Sequence, residues 1–191
     1  NTAKGITMKT ARILLTALAL GAATTPALAA GDWKFLPVAD KGYAPAFVAS
    51  VTGGIMDPQH VGSGDAWGLE LAFNCDLVQT PTGVVRTKLS VNKFDKAGLD
   101  LTTVELNPRW TIPVAKDLTF GVGPGIGWVK ADGGRNVDMF AWQAGADLDY
   151  RIGQLNLGLG ARWQDTVNKN LGGGREGADN WLVQAKVGIA F

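Results

Sequence analysis

The chain has 191 residues, a formal net charge of +1, a single histidine and a single cysteine. This balance gives no electrostatic footprint for nucleic acid, and one cysteine with one histidine excludes an internal disulfide and a Cys/His metal cluster. From Met8, Lys9 and Arg12 lead into an apolar run over 13–23 and then Ala27-Leu28-Ala29, the layout of a secretory signal peptide over 8–30. Cleavage is expected after Ala29 or Ala30. The run is shorter than the roughly 20 residues of a spanning helix. Residues 1–7 precede Met8 and are read as an upstream extension. Loss of Lys4, Lys9 and Arg12 leaves fifteen basic against seventeen acidic residues.

Segment 31–42 contains Trp33, Phe35 and Leu36 without a clear period, and is read as a periplasmic N-terminal stub, with a partial plug as the alternative. Over 43–191 the period is two. Eight segments of strand length are predicted near 43–54, 66–77, 83–94, 99–113, 117–130, 138–151, 154–165 and 180–191. In the last, Trp181, Val183, Ala185, Val187, Ile189 and Phe191 oppose Leu182, Gln184, Lys186, Gly188 and Ala190. So long and nearly uncharged a strand is expected to be sealed into a closed barrel.

Alternation alone does not say which face points outward. Trp67, Trp128, Trp142, Trp163 and Trp181 fall at one end of their strands when the chain is wound up and down, and Phe73, Trp110, Phe120, Tyr150 and Phe191 fall at the other. Two aromatic girdles are what a bilayer with two interfaces selects. The polar face carries the row Gly121, Gly123, Gly125 and Gly127, small enough for a crowded lumen. Tight turns around 80–83, 113–117 and Gly153 contrast with polar stretches 55–65 and 166–179, read as long loops. The expected fold is all-β: an eight-stranded antiparallel up-and-down transmembrane β-barrel with both termini periplasmic.

The whole of 43–191, with its terminal Phe191, resembles the small eight-stranded bacterial outer-membrane barrels of the OmpA, OmpX and OmpW kind. The resemblance implies residence in the outer membrane after export, contact with outer-membrane lipid and lipopolysaccharide, and reading of Phe191 as an assembly signal by the outer-membrane assembly machinery. It further implies roles in envelope integrity, surface interaction or passage of small molecules, with a surface or envelope protein partner left open.

The inward face carries Arg86, Lys88, Arg109, Arg151, Arg162 and Lys186 against Glu70, Glu105, Asp147 and Asp149. Buried charges must be paired, so a connected network is expected, with Lys88 near both Glu70 and Glu105. It either closes the barrel as a polar core or lines a narrow pathway for small solutes beside the glycine row. That row is not a nucleotide-binding loop, because the alternation runs unbroken into Trp128. Pro108 and Pro124 both fall outward on adjacent strands, where a bulge or weakened pairing is expected.

The one foothold for catalysis is 57–65, with Asp57, His60, Ser63 and Asp65. Some small outer-membrane barrels are lipid A acyltransferases or deacylases built on Ser and His. This chain departs from both: 94–98 offers Asp95 but no Ser, and no strand contains His. No catalytic residue, metal ligand or cofactor is assigned. The expected function is a non-enzymatic structural or surface-interaction barrel, with a narrow porin-like channel as the alternative. The polar loop 168–180, with Lys169, Arg175, Glu176 and Asp179, is the longest candidate contact surface.

Overall fold

A computed structural model describes residues 32–191 apart from Asn168 and Gly173. The upstream extension and signal peptide assigned to 1–7 and 8–30 lie outside the described residues. Eight strands run β1 Val48–Pro58, β2 Gly64–Asn74, β3 Val84–Lys96, β4 Leu99–Ala115, β5 Leu118–Asp132, β6 Asn136–Ile152, β7 Leu155–Thr166 and β8 Asn180–Ala190. Each pairs antiparallel with its chain neighbours, and β8 closes on β1 from Ala190↔Val48 to Asn180↔Pro58. Closure leaves the barrel no free edge, which is how a long terminal strand is kept from pairing elsewhere. The start of β1 and the end of β8 lie at one end, the turn end.

The first strand begins at Val48 and not near 43. Pro45 has no N–H to donate and Ala46 takes a left-handed φ of 47°, so the extended run cannot start earlier. At the other end the strands continue further than their polarity suggests. Residues 55–58 and 64–65, read as loop, are strand, and the connection shrinks to 59–63. The connections 97–98 and 133–135 are equally tight, while 75–83 at the turn end is longer. The expected contrast of short turns and long loops is therefore absent, with 167–179 the one extended connection at that end.

The reason is an exchange of faces. Beyond the Trp residues the outward positions become Asp57, Asp65, Asp95, Asp100, Asp132, Asp138 and Asp165, all exposed. Inward positions there become Met56, Phe94, Leu101, Val129, Met139 and Leu182, all buried in one cluster. Past the apolar belt the wall is thus built like a soluble barrel, greasy inside and charged outside, and this burial sustains the pairing.

Between β4 and β5 the register is the same at Leu106↔Ile126 and at Trp110↔Val122, so no residue is inserted. The ladder lapses over 107–109 and 123–125, which is weakened pairing without a bulge. A register shift does occur further along, between Pro113 and Ala115. Pro108 and Pro124 each remove a donor, and the Arg109 side chain replaces them: its Nη1 donates to the Gly123 and Pro124 carbonyl oxygens, both at 2.8 Å. Amides over 122–126 are expected to exchange faster than those of the unbroken β2–β3 ladder, and about tenfold faster again in Arg109→Ala, since two charge-assisted bonds are lost. Hydrogen exchange with mass-spectrometric readout checks this; equal rates in the variant would show that the guanidinium carries nothing there.

Residues 32–42 of the predicted stub do not enter the lumen, and Gly31 lies outside the described residues. Lys34–Phe35 pairs with Val78–Gln79 on the β2–β3 connection, and a single 3₁₀ turn follows over Pro37–Ala39. The segment lies at the rim of the turn end as a flap.

Candidate functional site

The lumen is layered. In its middle, four cations meet four carboxylates among the described residues. Lys186 lies 3.1 Å from Glu70, 2.8 Å from Asp147 and 3.4 Å from Asp149. Lys88 lies 3.2 Å from Asp147 and 3.1 Å from Asp149, with Glu70 at 3.9 Å. Arg109 Nε donates to Asp147 at 3.0 Å. Asp147 therefore faces three cations. A closed eight-stranded wall brings β2, β3, β4, β6 and β8 within reach of one another, so long side chains join across the lumen.

Two details differ from expectation. Lys88 reaches across to β6 and not to Glu105 on the neighbouring strand; Glu105 is taken by Arg162 at 3.4 Å. Arg86 and Arg151 make no ion pair among the described residues. Arg86 donates to the Ala46 carbonyl at 3.0 Å, and Arg151 is exposed, donating to the Gly153 carbonyl at 3.2 Å. Both sit near the turn end, where water and backbone can serve a guanidinium.

Uncharged amides, absent from the sequence expectation, complete the layer. Asn92 and Asn107 donate to Glu105 at 3.0 and 3.1 Å, as does Ser90 at 3.3 Å. Gln143 donates to Gln164 at 2.7 Å, Arg162 donates to the same Gln164 oxygen, and Arg162 also reaches Asn180 at 3.2 Å. Their inward parity was the available signal. Charge pairing alone would leave these carboxylate lone pairs unfilled, and buried polar atoms need such partners.

The glycines make room for this layer. A Cβ on Gly125 would collide with the Asn107 amide, one on Gly145 would lie 2.6 Å from Arg109 Nη2, and one on Gly127 would lie 2.7 Å from Gln143 Nε2. The space beside the glycine row is thus occupied by Asn107, Arg109 and Gln143, and no open groove follows it. Within the layer lies a cavity of about 20 Å³ bounded by Lys88, Glu105, Arg109, Asp147, Arg162 and Gln184, enough for about one water.

Above this polar layer lies the apolar one. Connection 167–179 folds back as a small hairpin, Asn170–Gly172 against Arg175–Glu176, and sends Leu171 and Ala178 into the same cluster as Phe94, Leu101 and Met139. Asp179 latches the loop by accepting from Thr166 N at 2.8 Å, Thr166 Oγ1 at 2.9 Å and Gln59 Nε2 at 3.2 Å. Part of the expected contact surface is therefore a lid on the lumen; Asn168 and Gly173 lie outside the described residues.

Outside, the wall is apolar between two aromatic levels. Trp181↔Trp163 and Trp128↔Phe140 are direct cross-strand partners, and Trp67 and Trp142 stand exposed by about 60% at the same level. At the turn end Phe47 stacks on Phe191 at 5.8 Å and packs on Phe73 at 5.7 Å, while Trp110 Nε1 donates to the Thr82 carbonyl at 2.6 Å. Phe120 and Tyr150 complete that level on β5 and β6. From Phe120 to Trp128, at about 3.3 Å per residue and a tilt near 40°, the band is roughly 20 Å tall, close to that of a membrane barrel. Val51, Leu69, Val91, Val104, Leu159 and Val183 face outward within it. In water this belt would be a continuous exposed apolar patch, so its solvent is lipid.

The chain has the fold of a small outer-membrane β-barrel. Neisserial surface protein A matches with a TM-score of 0.58 at 11% identity, over 76% of this chain and 97% of that one. The N-terminal β-barrel domain of Pseudomonas aeruginosa OprF matches at 0.51 and 15% identity, over 75% and 97%. The outer-membrane enzyme PagL matches at 0.50 and 19% identity, over 74% and 98%. No protein-family model and no curated protein matches the chain. An enzyme among these relatives means that the barrel itself is compatible with catalysis.

Ser63 and His60 are not hydrogen-bonded to each other among the described residues. Ser63 Oγ donates to Asp57 at 3.0 Å, and its carbonyl accepts from Lys96. His60 sits on the exposed connection with a left-handed φ of 78° and makes no hydrogen bond to either among the described residues. Ser63 is thus bonded directly to a carboxylate with no imidazole between, unlike the Ser–His–Asp order of a catalytic triad. Among the described residues no group of three His, Cys, Asp or Glu is placed to hold a metal.

At the turn end Tyr43 fastens the flap. Its hydroxyl donates to the Asn74 carbonyl at 2.6 Å and to Asp76, and Asn74 Nδ2 returns a bond to the Ala44 carbonyl at 2.9 Å. Desolvation and the Asp76 carboxylate together push the Tyr43 hydroxyl up to about 12. The hydroxyl therefore stays a donor at every physiological pH.

Proposed function

We propose that the protein is a non-enzymatic integral protein of the bacterial outer membrane, a sealed barrel that serves a structural or surface-interaction role. On this reading a signal peptide exports the chain, both termini face the periplasm, and the Trp belt and acidic rim face outward. Phe191, exposed at the turn end against Phe47, is the residue offered to the assembly machinery. Lipid and lipopolysaccharide are the partners of the belt, and any protein partner meets the charged rim or the 167–179 lid.

The lumen carries this reading. A cavity of about 20 Å³ lies within the charged layer, whose eight charges balance, and a buried apolar cluster stands above that layer. A channel for small solutes needs a continuous wet path, and here the long side chains fill the space that the glycines open. His60 and Ser63, unpaired with each other, support the non-enzymatic part.

Planar-bilayer recording of the refolded mature protein tests it. A folded, inserted barrel is expected to show no discrete openings. Openings whose size changes in Arg162→Ala would replace this reading with the channel.

A further inference from the structure

The flap holds a second feature that the sealed barrel does not use. Between 34–44 and the β2–β3 connection lies a cleft open to solvent, of about 430 Å³, lined by Lys34, Pro37, Asp40, Lys41, Tyr43 and Gln79 among others. Tyr43, Asn74 and Gln79 are already spent on internal hydrogen bonds. Lys34 and Lys41 are different: both are exposed and neither makes an ion pair among the described residues. Two uncommitted ammonium groups thus border one cleft.

Beside them the flap exposes apolar side chains in a fixed arrangement. Trp33 is 58% exposed, Phe35 76%, Leu36 57% and Leu77 65%. These are not the loose end of a tail. Leu36 N donates to the Leu77 carbonyl at 2.8 Å, Phe35 pairs with Val78, and the Tyr43 and Asn74 bonds hold the far side. Four large apolar side chains held exposed on one short stretch and the connection it pairs with are more than the scattered exposure usual on a protein in water. The flap stands at the turn end, the end of the barrel that also carries the aromatic level of Phe47, Phe73 and Phe191, where a bilayer changes from acyl chain to headgroup.

We propose that the flap and its cleft form a phospholipid site at the turn-end interface, in which Lys34 and Lys41 take the headgroup phosphate while Phe35, Leu36 and Leu77 lie against the acyl chains. The inference rests on the membrane reading above. Ammonium groups donate charge-assisted hydrogen bonds to phosphate oxygens, and the neighbouring apolar cluster favours a phosphate attached to lipid over a free one. Asp40 on the same lining disfavours a second negative charge, so a phosphodiester with one charge suits the site better than a phosphomonoester.

Native mass spectrometry of the folded mature chain, released from detergent containing phosphatidylglycerol, tests the site. One retained lipid per barrel is expected. Lys34→Ala with Lys41→Ala should weaken retention by at least about tenfold, and so should Phe35→Ser with Leu36→Ser. Both pairs lie outside the barrel, so heat-modifiable gel mobility should remain that of the folded protein and separates loss of the site from loss of the fold. Millimolar inorganic phosphate should not displace the lipid. Retention unchanged in the lysine pair would overturn the proposal, and so would displacement by inorganic phosphate, which would identify a free-anion site. Absence of any retained lipid, with the flap cross-linking to a protein in intact envelopes, would replace the lipid with a protein partner.

Discussion

Asp147→Ala is expected to destabilise the barrel by about 3–5 kcal/mol, the cost of leaving buried charge without its counterpart. The carboxylate lies 3.0 Å from Arg109, 2.8 Å from Lys186 and 3.2 Å from Lys88, and all three cations are almost fully buried. Removing it leaves four cations against three carboxylates around a cavity with room for about one water. Urea unfolding in phospholipid vesicles, followed by tryptophan fluorescence, reads the change. Asp147→Ala with Lys186→Met restores the balance and should recover a large part of the loss, because the pair goes together with its desolvation penalty. If Asp147→Ala costs less than about 0.5 kcal/mol, the lumen is hydrated enough to screen its ions, and the sealed-core reading fails with it.

Gly54→Ala should cost about 1–3 kcal/mol and lower refolding yield, whereas Gly53→Ala should stay within about 0.5 kcal/mol of the parent. These neighbours on β1 point to opposite faces. A Cβ on Gly53 meets nothing within 4 Å, while one on Gly54 would fall on the Val183 carbonyl oxygen, with Gln184 Cα 2.6 Å away. The obstacle is backbone of β8, which cannot step aside as a flexible side chain can. Because β8 and β1 form the closing seam, the strain falls on the last pairing to be made in chain order. Equal stabilities for the two variants would mean that the seam yields by more than a methyl group.

Much of this was legible in the chain. Strand period, strand number, the outward belt and the two aromatic levels follow from residue type and parity, because a lipid-facing wall must be apolar at every second residue wherever it stands. The inward charges were legible for the same reason, although their partners were not. Lys88 pairs with Asp149, sixty-one positions away, and not with Glu105 one strand over. Arg109 was visible as an inward cation, but its second task, donating to the carbonyls of Gly123 and Pro124, depends on where two prolines on adjacent strands come to rest. The face exchange beyond the Trp belt was written in the sequence as Phe94 between Lys93 and Asp95, or Met139 between Asp138 and Phe140. It is hard to read there because alternation survives while its polarity flips, and a polarity flip looks like the onset of a loop.

By itself the sequence determined that this chain is a closed, lipid-facing barrel with charge inside, since those properties depend on which side of a strand each residue occupies. Tertiary structure alone decided which side chains fill the lumen, which ions meet, and that residues 34–44 form a flap beside a lysine-bordered cleft. The physical reason is distance. Parity is a local property, carried by each residue and its nearest neighbours. Which side chains fill a shared volume depends on strands brought together only when the barrel closes.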